Sequence, residues 1–162
     1  MIIGLARIDD RLIHGQVATV WVKHANVTRI IVVNDEVAND EVRKTLLKQV
    51  APPSVKASVV SIDKLIRVYN NPKYENDRVM LLFTNPFDVE RVIQKGIPLT
   101  SINIGGISYK EGKVKVNKSN FLNKEEANCF RRLAEKNVEL DVRGVVNDPK
   151  EDMMKLLDKQ NL

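Results

Sequence analysis

The chain has 162 residues, enough for one domain with an ordinary core, since domains run ~100–150 residues and a chain near ~150 buries roughly 70% of its unfolded surface. Hydrophobic residues make up 43% and charged residues 29%, which excludes a disordered chain, and one cysteine excludes a disulfide framework or a cysteine-rich zinc site. Lys and Arg number 26 against 21 Asp and Glu, a net charge of +5 that suits an anionic or phosphorylated partner.

The opening residues, MIIGLARIDD, carry no basic leader before an apolar run. No stretch approaches the ~20 apolar residues of a spanning helix. The expectation is a cytoplasmic chain without a signal peptide.

In chain order, a first strand is predicted over Ile2–Ile8. A helix follows over Gln16–Ala25, with Val17, Val20 and Trp21 on one face. Arg29–Val33 reads as a second strand, and Asn34-Asp35-Glu36 as the start of a helix running to Val50, with Val42, Leu46 and Val50 inward. Strands are predicted at Lys56–Val60 and Val79–Phe83. Asn85-Pro86 then puts a capping side chain before a proline at the first helical position. Ser101–Ile104 is a strand ended by Gly105-Gly106, read as a turn, since no strand-to-helix GxGxxG pattern surrounds it. Ile107–Tyr109 and Val114–Val116 flank a hairpin turn at Lys110–Lys113.

Asn123 and Glu126 form a capping-box pattern before a helix striped by Ala127, Phe130, Leu133 and Ala134. Cys129 on that helix reads as a small core residue. After a strand at Glu139–Val142, Asp148-Pro149 opens a last helix with Met153, Leu156 and Leu157 inward. Several strands are apolar on successive residues, as in sheets covered on both faces. The fold class is α/β, an open, mostly parallel twisted sheet with helices on both faces, in a single domain over 1–162.

In such sheets, ligands sit beyond the carboxyl ends of the strands. The loop after the first strand is Asp9-Asp10-Arg11-Leu12-Ile13-His14-Gly15, and a helix follows at once. His14 therefore falls at a helix N-terminus, where backbone N–H groups and the dipole favour an anion. Arg7 and Arg11 are placed to bring guanidinium groups to the same spot, and Gly15 admits a bulky group on the imidazole. These residues suit a phosphoryl carrier. A nucleophilic histidine must be neutral, and nearby Arg with a helix N-terminus disfavours the imidazolium. After phosphorylation, roughly two negative charges meet the same Arg and backbone groups. Asp9 or Asp10 is available to orient the ring, and either is equally placed to pair with Arg11.

Other readings compete. A lone loop histidine is usually unremarkable, Asp9-Asp10 is commonly turn chemistry, and His24 beside Trp21 reads as structural or exposed. The loop also fits a non-catalytic regulatory module that docks an anionic partner. Nucleotide binding lacks its motif. The basic residues are dispersed and interleave with no aromatic run, which argues against nucleic acid.

The run Ala6-Arg7-Ile8-Asp9-Asp10-Arg11-Leu12-Ile13-His14-Gly15-Gln16-Val17 resembles the active-site signature of the mannose/fructose/sorbose family of phosphotransferase-system IIB components, most closely the mannose type. Asn34-Asp35-Glu36-Val37, Val50-Ala51-Pro52-Pro53, Leu81-Leu82-Phe83-Thr84-Asn85-Pro86 and Asn103-Ile104-Gly105-Gly106 resemble later family segments, while Ser119–Phe130 departs most. The resemblance implies phosphorylation of His14, at Nδ1, by a IIA phosphoprotein. It implies transfer onward to a sugar held by membrane IIC and IID subunits. By the same resemblance Arg11 stabilises the phosphate; from the loop residues themselves, Asp10 is the carboxylate assigned to orient the ring. Arg7, Gly15 and Gln16 are the further phosphate contacts. No metal or cofactor is expected. Since the chain starts at the IIB segment, IIA is expected on a separate protein. The sugar and any homo-oligomer stay open.

Overall fold

The computed structural model describes every residue, Met1–Leu162. Its main sheet has seven strands: β1 (Ile2–Asp9), β2 (Arg29–Val33), β3 (Lys56–Val60), β4 (Arg78–Phe83), β5 (Ser101–Gly106), β8 (Glu139–Val142) and β9 (Glu151–Asp152). They lie in the order β3-β2-β4-β1-β5-β8-β9, and every neighbouring pair is parallel except β8 with β9. β6 (Val114–Lys115) and β7 (Phe121–Leu122) form a separate antiparallel pair.

Side chains alternate across a strand, so a sheet covered on both faces needs apolar residues at successive positions. β4 shows this directly: Val79, Leu81 and Phe83 enter one core, Met80 and Leu82 the other. The first core is covered by α4 (Ile62–Tyr69), α5 (Pro86–Gln94), α6 (Lys124–Glu135) and α7 (Met153–Lys159). The second is covered by the helix after β1 and by α2 (Asp35–Ala38) and α3 (Glu41–Val50).

The caps explain where helices start. Asn85 accepts from the Asp88 N–H with Pro86 behind it, and Asn123 and Glu126 close a reciprocal capping box. Four expectations need correction. The helix expected from Glu36 to Val50 is two, because Asp40 accepts from the Arg43 N–H and restarts it. The restart turns Leu47 inward and leaves Val42, Leu46 and Val50 exposed. The helix after β1 contains a π turn over Val17–Trp21 before α1 (Val22–His24); the wider turn brings Ala18 in and leaves Val20 exposed. Asp148-Pro149 starts no helix, since Asp148 accepts from the Val145 N–H and Asp152 caps α7. Finally, Val114–Lys115 pairs with Phe121–Leu122, whereas Ile107 bridges Asn120.

Where the second core ends, the sheet carries a row of polar groups. Arg7, Asn103 and Asp141 are register partners on β1, β5 and β8, all buried on the same face. This row positions the loop that follows β1.

Candidate active site

The loop Asp10–His14 leaves the carboxyl end of β1. Asp10 N–H bonds to Gly106 O at 3.0 Å, and Leu12 N–H to Asp9 O at 2.9 Å. Leu12 sits at φ 62°, a left-handed conformation costing a leucine ~1–2 kcal/mol. Its side chain is fully buried, an effect of ~1.5–3 kcal/mol that offsets the strain. The buried Leu12 and Ile13 fix the chain so that His14 emerges with its side chain 23% exposed. Ala18 N–H donates to His14 O at 2.8 Å, the first helical bond, so His14 stands at the helix N-terminus.

Asp9 is the hub. One of its oxygens, Oδ2, meets His14 Nε2 at 3.0 Å, Arg7 NH2 at 2.9 Å and Arg11 NH2 at 3.1 Å. The other, Oδ1, accepts from Arg11 Nε at 3.0 Å and from Arg11 N–H at 3.2 Å. Burial pushes the Asp9 carboxyl up, but the Arg11 hydrogen bonds, the Arg7 charge and the His14 contact hold it below the usual carboxylate range. An ionised carboxylate only accepts. His14 Nε2 must therefore carry the hydrogen, and in the neutral ring the lone pair is at Nδ1. The geometry gives the imidazole a fixed tautomer.

Behind Asp9 the polar row holds Arg7. Its guanidinium donates to Asn103 Oδ1, to Arg143 O and to Gly144 O, and lies 4.7 Å from the Trp21 ring centroid. Trp21 Nε1–H donates to the same Gly144 O at 3.0 Å, and Arg143 stacks on the indole at 5.4 Å while bonding Asp141. Burial lowers the Arg7 pKa against the opposing pull of Asp9, and hydrogen bonding to Asp9 raises that of Arg11. Trp21, Asn103, Asp141 and Arg143 were not singled out as site residues from sequence. The one available signal was a polar residue at an inner position of β5 and of β8, at Asn103 and Asp141.

The sequence-derived site is rearranged accordingly. Arg7 is completely buried and offers no surface to a phosphate; it is a support for Asp9. Asp10 does not orient the ring, because its carboxylate accepts from Ser108 N–H at 2.7 Å and Ser108 Oγ at 2.8 Å. Arg11 remains at the surface, with its side chain 55% exposed. Gly15 and Gln16 are exposed in the first helical turn, and a Cβ at Gly15 would meet nothing within 4 Å. Gly105-Gly106 is neither turn nor cradle but the end of β5.

A Cβ at Gly105 would lie 1.9 Å from Arg7 NH2, so only glycine admits the buried guanidinium. Gly105→Ala is expected to lower stability by about 3–5 kcal/mol, as for a broken buried pair, and the melting temperature by on the order of 10 °C. Gly106→Ala, with its nearest contact at 3.4 Å, should be far milder. Equal melting temperatures for both variants would refute the packing argument.

Comparison with known proteins converges on one group. The family described as the sorbose-subfamily IIB component of the phosphotransferase system matches residues 3–162. The mannose-specific EIIAB component of Escherichia coli (strain K12) is 59% identical over 159 residues, 98% of this chain but 49% of that protein. The chain thus spans about half the length of that relative. The sorbose-specific EIIB component of Lacticaseibacillus casei is 51% identical over 159 residues, 98% of this chain and 97% of that one. The crystal structure of the IIB domain of the Klebsiella pneumoniae sorbose permease superposes with a TM-score of 0.95 at 48% identity, covering 98% of both chains. These likenesses define the class, a IIB component of the phosphotransferase system. Within it, the chain belongs to the sorbose subfamily of IIB components, whose model matches almost its whole length.

Proposed function

We propose that His14 is the phosphoryl carrier, a protein-phosphohistidine–sugar phosphotransferase centre that takes the group from a IIA phosphoprotein and passes it to a sugar held by membrane IIC and IID subunits. The observation that supports this reading is the contact of His14 Nε2 with ionised Asp9. It leaves Nδ1, which has no protein partner, as the nucleophile. When the Nδ1–P bond forms, the donor's own bond to phosphorus breaks and its electron pair returns to the donor; Nε2 keeps its hydrogen and the ring gains positive charge beside the Asp9 carboxylate. The ring then departs from phosphorus as a neutral imidazole, a good leaving group. The carrier therefore works in both directions with little reorganisation.

Arg11 neutralises the phosphoryl group. Its Nε and NH2 are committed to Asp9, which leaves NH1 directed to other partners. The N–H groups of Gly15, Gln16 and Val17 precede the first helical hydrogen bond and are available to phosphoryl oxygens. Arg7 acts one step back, by holding Asp9. The whole chain, 1–162, serves as one IIB unit. The cytoplasmic placement, at the side of the transporter, follows from the IIB reading; no helix is long and apolar enough to cross a membrane.

The test is to incubate the chain with phosphorylated IIA and locate the label. The expected product is acid-labile phosphohistidine at His14 with phosphorus on Nδ1, resolved from the Nε2 isomer by nitrogen-15 and phosphorus-31 NMR. Label on Nε2, or on His24, contradicts the tautomer argument. Arg11→Lys keeps the charge but loses the planar fork. It is expected to slow transfer on the order of tenfold, the worth of one charge-assisted hydrogen bond, with the phosphorylated state still reached. Rates unchanged in both half-reactions would remove Arg11 from the mechanism.

A further inference from the structure

Beside the His14 loop, at the carboxyl ends of the strands, lies a crevice of about 460 Å³. Its walls come from the loops after β1, β2, β4 and β5, through Arg11, Glu36, Thr84 and Ser108 among others. β1 and β2 lead to helices on one face of the sheet, whereas β4 and β5 lead to helices on the other. The winding direction reverses here, and ligands of open α/β sheets settle in the crevice that such a reversal opens. The volume falls within the ~300–1,000 Å³ of small-molecule clefts.

The chemistry of the walls is mixed. Thr84 Oγ1 accepts from Asn34 Nδ2 at 3.2 Å and from Asn85 Nδ2 at 2.9 Å, so its own hydrogen is left to donate. Glu36 brings an exposed carboxylate, and Arg43 and Lys110 bring exposed cations. Arg11 is the shared wall, because its NH2 binds the same Asp9 oxygen as the His14 ring. An acidic protein segment would match the cations but set its charge against Glu36. A polyhydroxylated molecule carrying one phosphate matches the donor, the carboxylate and the cations together.

We propose that this crevice receives the hexose at the moment of transfer, so that the IIB chain itself contributes to sugar recognition through Thr84 and Glu36. The inference rests on His14 being the carrier. In the step, a sugar hydroxyl oxygen bonds to phosphorus and the Nδ1–P bond breaks, returning its electron pair to Nδ1. The hydroxyl proton leaves to water, and Nε2 keeps its hydrogen on Asp9. The product, a hexose phosphate monoester, lies with its phosphate against Arg11 and its hydroxyls on Thr84 and Glu36.

The full chain, unphosphorylated, is titrated with phosphate monoesters of mannose, fructose and sorbose, and separately with inorganic phosphate, while backbone amides are followed by NMR. At least one hexose phosphate should move the amides of Glu36, Thr84 and Ser108 as well as His14, whereas inorganic phosphate should move the His14–Val17 region alone. In the complete system, Glu36→Gln and Thr84→Val should each raise the KM for sugar roughly 3- to 10-fold, the worth of one hydrogen bond. His14 labelling by phosphorylated IIA, the reference half-reaction, should change less than twofold. Glu36 is exposed and caps nothing, so its variant keeps the test independent of local folding. Identical shifts with all the phosphates, a sugar KM within twofold of the parent, or labelling slowed as much as sugar transfer would each overturn the proposal; the last would mean that the crevice docks the donor protein. A parent chain that takes no label at His14 would instead refute the carrier reading, leaving the hexose phosphate shifts to decide the crevice alone.

Discussion

His14→Ala is expected to take up no phosphoryl group from phosphorylated IIA and to support no sugar phosphorylation, while remaining folded. No other imidazole replaces it: His24, the other histidine, lies past the helix start, edge-on to Trp21 at 5.7 Å. Arg11 and the helix N–H groups bind phosphate but offer no nucleophile. The structural cost is small, because the ring is part-exposed and its one side-chain bond is to Asp9, which keeps both arginines. A loss of about 1 kcal/mol, or roughly 2–4 °C in melting temperature, is the expected scale. Loss of labelling with the fold retained, read by circular dichroism, separates chemistry from collapse. Label that persists in the variant would assign the carrier elsewhere.

Asp9→Asn should damage both stability and chemistry. Arg7 is wholly buried, and Asp9 is its carboxylate partner at 2.9 Å. Removing one member of a buried pair typically costs about 3–5 kcal/mol, since the other charge stays behind. The chemistry suffers for a different reason. An asparagine amide can turn its N–H toward Nε2, which moves the ring hydrogen to Nδ1 and the lone pair away from the phosphoryl donor. The loss of the correct tautomer in a serine protease costs ~10⁴-fold, and a fall of a similar order in labelling rate is expected here. The acid limb of stability should also change. Asp9 is held below its ordinary value in the folded state, so its contribution is fully present above the unfolded carboxyl pKa of ~3.9 and is lost as pH falls through the lower folded value. Melting temperatures from pH 7 down to pH 2 should therefore converge between parent and variant at the acid end. Parallel curves would show that Asp9 contributes no charge-dependent stability.

The placement of His14 was legible because it depended on local rules. Strand one, the short loop and a helix start expected at Gln16, one residue past the observed start at Gly15, follow from apolar runs and breakers within a dozen residues, and the family signature covers the same stretch. The Asn85 and Asn123 caps were legible for the same reason: the cap and the N–H it binds are three residues apart. The choice between Asp9 and Asp10 was not. Both are acidic and adjacent, and what separates them is Ser108, nearly a hundred residues on, which takes Asp10. Arg7 looked like a phosphate ligand because nothing nearby in the chain shows Asn103, Gly144 or the space left by Gly105.

The division follows the range of the forces. Local rules were enough for an α/β chain with a histidine at the mouth of the first crossover, because strand alternation, capping and turn chemistry act over a few residues. Which carboxylate holds the imidazole, which arginine faces solvent and which loops enclose the crevice emerged only in the folded chain. Those outcomes depend on β1, β5 and β8 lying side by side in register, and on buried charges finding partners far along the chain.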